Sequence, residues 1–399
     1  MDQLGRPPFR PTPAAGTLAD VSPSLAAALG VEGFDDHLGV GPARGTALML
    51  VDGLGADLLA EHADRAPVLA ELAARGQTLL AGFPSTTAVS VTSLGTGLPS
   101  GEHGIVGYSM GVPPLDDPGA PAETVLNTLR WCAHGATDPV DLRRELPPEE
   151  VQAAPTVMQR AARAGVAVTT IAPEIQRRSG LTRAALRGGR FHGVSALGDL
   201  AAAVLDALAP GAAGERAFCY AYHGDLDMLG HTFGPGSTPW LMQLTVIDRL
   251  VGAIAEELPS DTLLAVVADH GMVGTDSGWR IDLDTSPELL TGVRRLAGEA
   301  RVRHVFTAAG AADDVAAAWR SEVGDAAWVR TRDEAIDEGW FGLEVTDTAR
   351  GRIGDVVAAA QGNWTLVRSR IEPMETALVG HHGSLTDAEQ RVPLLLARG

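Results

Sequence analysis

The chain has 399 residues, 45% of them apolar, enough for one large α/β domain carrying an inserted smaller one, or for two domains. Every basic residue is arginine, which excludes Schiff-base and pyridoxal chemistry and the usual P-loop clamp, and two cysteines, Cys132 and Cys219, exclude a disulfide framework or a cysteine-rich zinc site. A net charge of −19 argues against binding nucleic-acid backbone or an anionic membrane through a basic face; a small phosphate-bearing substrate stays open, because bound cations reverse the local field.

The Pro-rich first ~20 residues read as an irregular arm. TALMLV (46–51) is a short buried parallel strand ending at Asp52-Gly53-Leu54-Gly55, followed by helix from Asp57 to Arg75. Thr78 to Phe83 reads as a second strand, and Pro84-Ser85-Thr86-Thr87 opens a helix that ends near Gly97. Residues 111–150 are rich in Pro, Asp and Glu and read as an excursion with little regular structure. Strands are expected over Val166–Ala172, Ala217–Tyr222 and Thr262–Ala268, and helices over Leu197–Leu208 and Trp240–Leu258, the last with apolar residues at helical spacing. Beyond residue 278 the texture changes: short strands (302–307, 326–330, 364–367) flank a helix near 313–323. The expected fold is therefore α/β, a mainly parallel sheet between helices formed by residues 1–277 and 377–399, with 278–376 as an inserted α+β lid.

Chemistry-bearing side chains recur just past apolar strands or at helix starts: Asp52, Thr86-Thr87, Asp227 and His231 in DLDMLGH, and Asp269-His270, with His381-His382-Gly383 near the end. Ligands in open α/β sheets sit at the carboxyl ends of strands, so parallel strands bring distant segments to one edge. Asp and His suit zinc. Asp227 and His231 are four apart, and one helical turn would align both on one metal; Asp269 and His270 must lie in the turn after their strand, sharing an ion or serving two. Each pattern alone is weak, since a lone Asp after a strand is usually a turn former or cap. His37, His62, His134, His192, His223 and His304 read as surface or structural residues.

VDGLG, FPSTTAVSVTSLGTGLPSGEHGIVGY, DLDMLGH, ADHGM and HHGSL, in this order over roughly residues 46–390, resemble the alkaline phosphatase superfamily, within it the nucleotide pyrophosphatase/phosphodiesterase and phosphonoacetate hydrolase branches. The resemblance implies an alkaline phosphatase-like core and two zinc ions, one on Asp52, Asp269 and His270, the other on Asp227, His231 and His382. His382 is preferred to His381 because it directly precedes glycine, and Asp227 to Asp225 because of its spacing to His231. It also implies a threonine nucleophile nine residues before a Thr-Gly pair: counting back from Thr96-Gly97 gives Thr87, itself a metal ligand, with Thr86 as the alternative. His103 matches a family histidine and reads as structural. Where the diesterases often carry an oxyanion-binding Asn soon after HGIV, this chain has Tyr108.

The implied activity is zinc-dependent hydrolysis of phosphodiester or phosphoanhydride bonds in a small, nucleotide-like substrate, through a phospho-threonine. A phosphonate (C–P) hydrolase or phosphomonoesterase on the same core is the alternative; a phosphomutase and a non-catalytic zinc protein rank below these. Diesters are preferred because no arginine lies in the FPSTT to HGIVGY stretch to neutralise a monoester's extra charge. With no apolar signal core and no run of membrane-spanning length, the expected location is the cytoplasm.

Overall fold

The computed structural model describes residues 16–112, 124–135, 140–209 and 215–399. Most of the expected N-terminal arm lies outside the described residues.

The strands of two sheets fix the architecture. β1 (Gly45–Val51), β2 (Gln77–Leu80), β3 (Ala167–Pro173), β4 (Arg190–Val194), β5 (Ala217–His223) and β6 (Thr262–Val267) join the last strand, β11 (Arg391–Arg398), in a central sheet. Between them in sequence, β7 (Val293–Glu299), β8 (Val302–Thr307), β9 (Ala327–Thr331) and β10 (Val356–Ala360) make a second. The central order is β2-β11-β6-β1-β5-β3-β4, parallel from β6 to β4, with β11 antiparallel to both of its neighbours. Every residue of β1 and of β6 is buried, which is why both read as unbroken apolar runs: a parallel strand covered on two faces has no polar side to show.

Helices cover this sheet: α1 (Thr87–Thr96), α2 (Leu197–Leu208), α3 (Asp225–Phe233) and α4 (Thr238–Glu256). α4 buries Trp240, Leu244, Ile247, Val251 and Ile254, the stripe its spacing predicts. α1 is buried along its whole length and stops at Gly97, whose φ of 73° a side chain would resist.

Some expectations need correction. The single helix expected over 57–75 is two, Ala56–Glu61 and Pro67–Ala73, because Pro67 cannot continue a helix but can begin one. The second strand is shorter and starts earlier than Thr78–Phe83. The excursion 111–150 is more ordered than its composition suggests: Ser109–Gly111, Val125–Asn127 and Cys132–Ala133 form a small antiparallel sheet, and Pro148–Val151 a helical turn, while residues 113–123 and 136–139 lie outside the described residues.

The second sheet, order β7-β8-β10-β9, is antiparallel throughout and packs its own apolar cluster, with Trp319 of α5 (Ala312–Val323) at its centre. Trp319 Nε1 donates to the Leu289 carbonyl at 2.9 Å, so the buried indole leaves no polar atom unmet. A buried ion pair, Arg301 to Glu389 at 2.7 Å, ties this sheet to the segment leading into β11. Removing either partner would leave the other charge buried and alone, a cost of roughly 3–5 kcal/mol.

Candidate active site

Asp52 follows β1, Asp269 and His270 follow β6, and α3 follows β5, so the parallel order brings all three segments to the carboxyl edge of adjacent strands. At this edge Gly53 has φ 76°, and a Cβ there would stand 3.1 Å from the Cα and Cβ of Asp227; only glycine lets the turn after β1 approach α3 so closely.

The first group is Asp52, Asp269 and His270, all buried, with a donor atom from each within 4.8 Å of the others. His270 Nε2 lies 3.5 Å from Asp52 Oδ1 and 3.4 Å from Asp269 Oδ2. The outer oxygens are held in place: Tyr222 Oη donates to Asp52 Oδ2 at 2.6 Å, and the backbone N–H groups of Gly53 and His270 donate to Asp269 Oδ1, each at 3.1 Å. Asp52 Oδ1 and Asp269 Oδ2 are sealed from solvent with no hydrogen-bond donor. Burial, with Asp269 and Asp227 nearby, pushes the Asp52 carboxyl well above the usual carboxylate range, and burial also raises Asp269.

The second group is Asp227, His231 and His382. Asp227 and His231 lie one turn apart on α3, with Oδ2 and Nε2 3.3 Å apart. His382 arrives from the carboxyl-terminal segment, its Nε2 3.2 Å from that of His231 and 3.7 Å from Asp227 Oδ1, another sealed oxygen with no donor. Burial would raise Asp227, but His231 and His382 outweigh it and hold the carboxyl below its usual range; burial would lower His231, but Asp227 carries it up to about 9. The rings of His270 and His382 stack at 3.5 Å, so the two groups adjoin.

All three imidazoles point Nδ1 at a backbone carbonyl: His270 at Gly271 (3.0 Å), His231 at Gly380 (2.7 Å) and His382 at Ser85 (3.0 Å). A carbonyl only accepts, so Nδ1 carries the proton and, in the neutral ring, Nε2 presents its lone pair to the carboxylates. Three orphaned carboxylate oxygens facing three such nitrogens fit two divalent cations, and the N/O donor set suits zinc.

Thr87 opens α1, with Thr86 as its N-cap, and its Oγ1 lies 3.3 Å from His270 Nε2. A cavity of about 290 Å³ opens over Thr87 and the second group, walled also by Tyr108, Leu129, Glu299 and Met374. Thr86 instead donates to Glu299 Oε2 at 3.4 Å.

The remaining candidates are placed as follows. Asp225 is exposed and lies 3.9 Å from His223. His381 directs Nε2 to the Leu378 carbonyl. His103 accepts the Ile105 N–H on Nδ1 and pairs with Ser93 through Nε2, away from both groups. Tyr108 donates to Glu375 at 3.4 Å. Of the structural histidines, His304 is fully buried between Val106 and Gly354, and His134 pairs with Glu372. Sequence reasoning missed Tyr222 and Glu299. Tyr222 precedes His223-Gly224 with nothing in its spacing to mark it, and Glu299 ends a strand that alternation did not reveal.

Residues 46–385 match the profile of the type I phosphodiesterase / nucleotide pyrophosphatase family. Murine ectonucleotide pyrophosphatase / phosphodiesterase 5, in complex with AMP, is similar in structure with a TM-score of 0.65 at 18% identity, covering 88% of this chain and 87% of that one. Phosphonoacetate hydrolase from Sinorhizobium meliloti 1021, in complex with phosphonoacetate, has a TM-score of 0.62 at 20% identity, covering 89% and 90%. At such identities these likenesses speak to the fold, the alkaline phosphatase-like core that the motifs imply. In sequence, a phosphopentomutase of Anaeromyxobacter dehalogenans (strain 2CP-C) is 31% identical over 174 residues, 43% of this chain and 41% of its own length, so the chain matches about two fifths of that relative. Among the described residues, no helix is long and apolar enough to cross a membrane.

Proposed function

The chain belongs to the type I phosphodiesterase / nucleotide pyrophosphatase family, enzymes acting on phosphate esters, and we propose that it hydrolyses phosphodiester or phosphoanhydride bonds through a covalent intermediate on Thr87. The observation that carries this reading is Thr87 Oγ1, 3.3 Å from His270 Nε2 at the start of a helix and open to the cavity. Asp52, Asp269 and His270, with Thr87, would hold one zinc ion, and Asp227, His231 and His382 the other. When bound, the pair supplies the positive charge that makes a hydroxyl nucleophilic and steadies the departing oxygen.

The chain's own groups do the rest. Thr87 Oγ1 attacks phosphorus, the bond from phosphorus to the departing oxygen breaks, and the leaving alcohol, or phosphate in an anhydride, carries the proton the hydroxyl gave up. Water then attacks the phospho-threonine, releasing the second product and restoring the hydroxyl. The amino-terminal end of α1 turns its partial positive charge toward the phosphoryl oxygens. Residues 278–376 act as a lid on the catalytic core, a role supported by Glu299, Glu372 and Glu375 reaching the cavity wall from that stretch.

Preference for diesters is supported by the cavity lining, where, among the described residues, one guanidinium, Arg130, stands against four acidic side chains, Asp227, Glu299, Glu372 and Glu375. A monoester dianion, or a phosphonate bearing a carboxylate, would bring further negative charge to such walls. With zinc supplied, bis(p-nitrophenyl) phosphate should turn over faster than p-nitrophenyl phosphate, and chelation should abolish both rates. Turnover of the monoester well above the diester would reverse the preference, and full activity without metal would sink the scheme. The partial match to phosphopentomutase favours one second reading, a phosphoryl shift on a pentose phosphate; it would show as isomerisation with no phosphate released.

A further inference from the structure

A strained turn brings the one arginine of the catalytic cavity to its wall. Trp131 has φ 55°, in the left-handed region that a bulky side chain resists, so its surroundings must hold it there. The indole is fully buried, its Nε1 donates to the Leu146 carbonyl at 2.8 Å, and Gly180 leaves it room, since a Cβ there would stand 2.2 Å from the ring. On the other side of the turn, Asn127 Oδ1 accepts the backbone N–H groups of Leu129 and Arg130 at 3.1 Å and 2.9 Å. With Trp131 anchored inward, Leu129 and Arg130 line the catalytic cavity.

Arg130 also lines a second cavity, of about 440 Å³, which shares Glu372, Met374 and Glu375 with the first. Arg370 stands on the wall of this second cavity, and neither guanidinium makes a hydrogen bond or ion pair with a described residue. Of the two acids on the same wall, Glu372 is neutralised: it receives Arg303 at 2.7 Å and 3.0 Å and pairs with His134 at 2.9 Å. Glu375, which accepts the Tyr108 hydroxyl, is left against two guanidiniums. Asp227 and Glu299 line the first cavity alone. A chain of net charge −19 thus keeps a locally positive recess beside its catalytic cavity.

Resting on the phosphate-ester reading of the site, we infer that Arg130, with Arg370 beyond it, binds a further phosphate carried on one arm of the substrate. The guanidinium fork meets two oxygens of such a group at once. The backbone of Arg130 is fixed before the substrate arrives, so less freedom is lost on binding. Extra negative charge is unwelcome at the reacting phosphate, beside Asp227 and Glu299, but meets cations where the two cavities join. Esters and anhydrides with a second phosphate are therefore favoured over diesters with two uncharged arms.

The test is calorimetric binding of ω-sulfoalkylphosphonates, with tails of three to six carbons, to the zinc-loaded full chain, beside the alkyl- and ω-ammonioalkylphosphonates of the same lengths. A sulfonate offers the oxygens and charge of a second phosphate but coordinates zinc poorly, and the shared phosphonate head cancels in the comparison. At the best length the sulfonate should bind about 10-fold tighter than the alkyl compound, and the ammonium no tighter than it. In Arg130→Gln the sulfonate advantage should shrink to within about 3-fold, and Arg130→Lys, which keeps the charge, should restore part of it. No sulfonate advantage at any length, or one untouched by Arg130→Gln, would overturn the proposal. Inorganic sulfate binding at Arg130 as tightly as the tailed compounds would also overturn it, as the mark of a free-anion site. A sulfonate advantage in a protein that cleaves no phosphate ester would uphold this role for Arg130 and count against the proposed function; ester cleavage without the advantage would do the reverse.

Discussion

Asp52, Asp269 and His270 are sealed beneath the sheet edge, whereas Asp227, His231 and His382 stand at the wall of the cavity. The first group is made of residues that end two adjacent strands, and burial raises both of its carboxyls, with Asp269 and Asp227 adding to the rise at Asp52 and Asp227 adding to it at Asp269. The second joins a helix to a carboxyl-terminal segment and is balanced within itself, Asp227 against His231. Two acids with one imidazole, dry and preformed, ask for a cation more strongly than one acid with two imidazoles in contact with a cavity. Under the proposed function the difference would divide the labour between a tightly held ion beside Thr87 and a more exchangeable one toward the departing group.

The largest effect should come from setting one group against the other. Asp269→Asn removes a charge from the sealed group, and turnover should fall by more than the 10–100-fold typical of losing an outer partner of a metal ligand. His382→Ala opens only the cavity-side group. Metal analysis should find one strongly bound zinc per chain in His382→Ala, and in Asp269→Asn only zinc that dialysis against a weak chelator strips away. Equal retention in the two variants would erase the distinction between the groups.

Much of this site was legible because its residues must follow strands. A buried parallel strand is an apolar run in sequence, and Asp52 and Asp269 sit where such runs stop. The i,i+4 relation of Asp227 and His231 is a helical turn written in residue numbers. Their supporting atoms leave no such trace. The carbonyls of Ser85, Gly271 and Gly380 belong to the backbone, so any side chain could stand there. Tyr222 reaches Asp52 through a strand pairing in which Val51 lies opposite His223, a register fixed in three dimensions. Glu299 depends on an antiparallel sheet whose first strand carries a bulge between Val293 and Arg295, which breaks the alternation that would have announced it. The split at Pro67 is written in the sequence, since a proline ring cannot continue a helix but can begin one.

Tyr222→Phe sharpens the comparison at a smaller scale. It removes the 2.6 Å bond to Asp52 Oδ2 and nothing else of the side chain. Zinc affinity of the sealed group, or turnover, should drop roughly 10–100-fold, with the cavity-side ion unaffected. Loss of both ions together would mean that the groups do not bind independently.

The smallest change should follow Tyr108→Phe. By the resemblance, Tyr108 stands where diesterases often carry an oxyanion-binding Asn, and removing an oxyanion donor costs about 10²–10³-fold in turnover. In this chain, however, its hydroxyl is turned to Glu375 at 3.4 Å, across the cavity wall. Burial, with Glu375 beside it, pushes the phenol up to about 12, so it stays protonated and keeps that carboxylate as its acceptor. A donor already committed to a carboxylate would have to exchange it for a phosphoryl oxygen during the reaction, and under the proposed function the helix end at Thr87 is already turned toward that oxygen. Tyr108→Phe should therefore lower kcat by less than about 10-fold and act mainly on KM. A fall of 100-fold or more in kcat would place the oxyanion contact on the cavity wall rather than at the helix end.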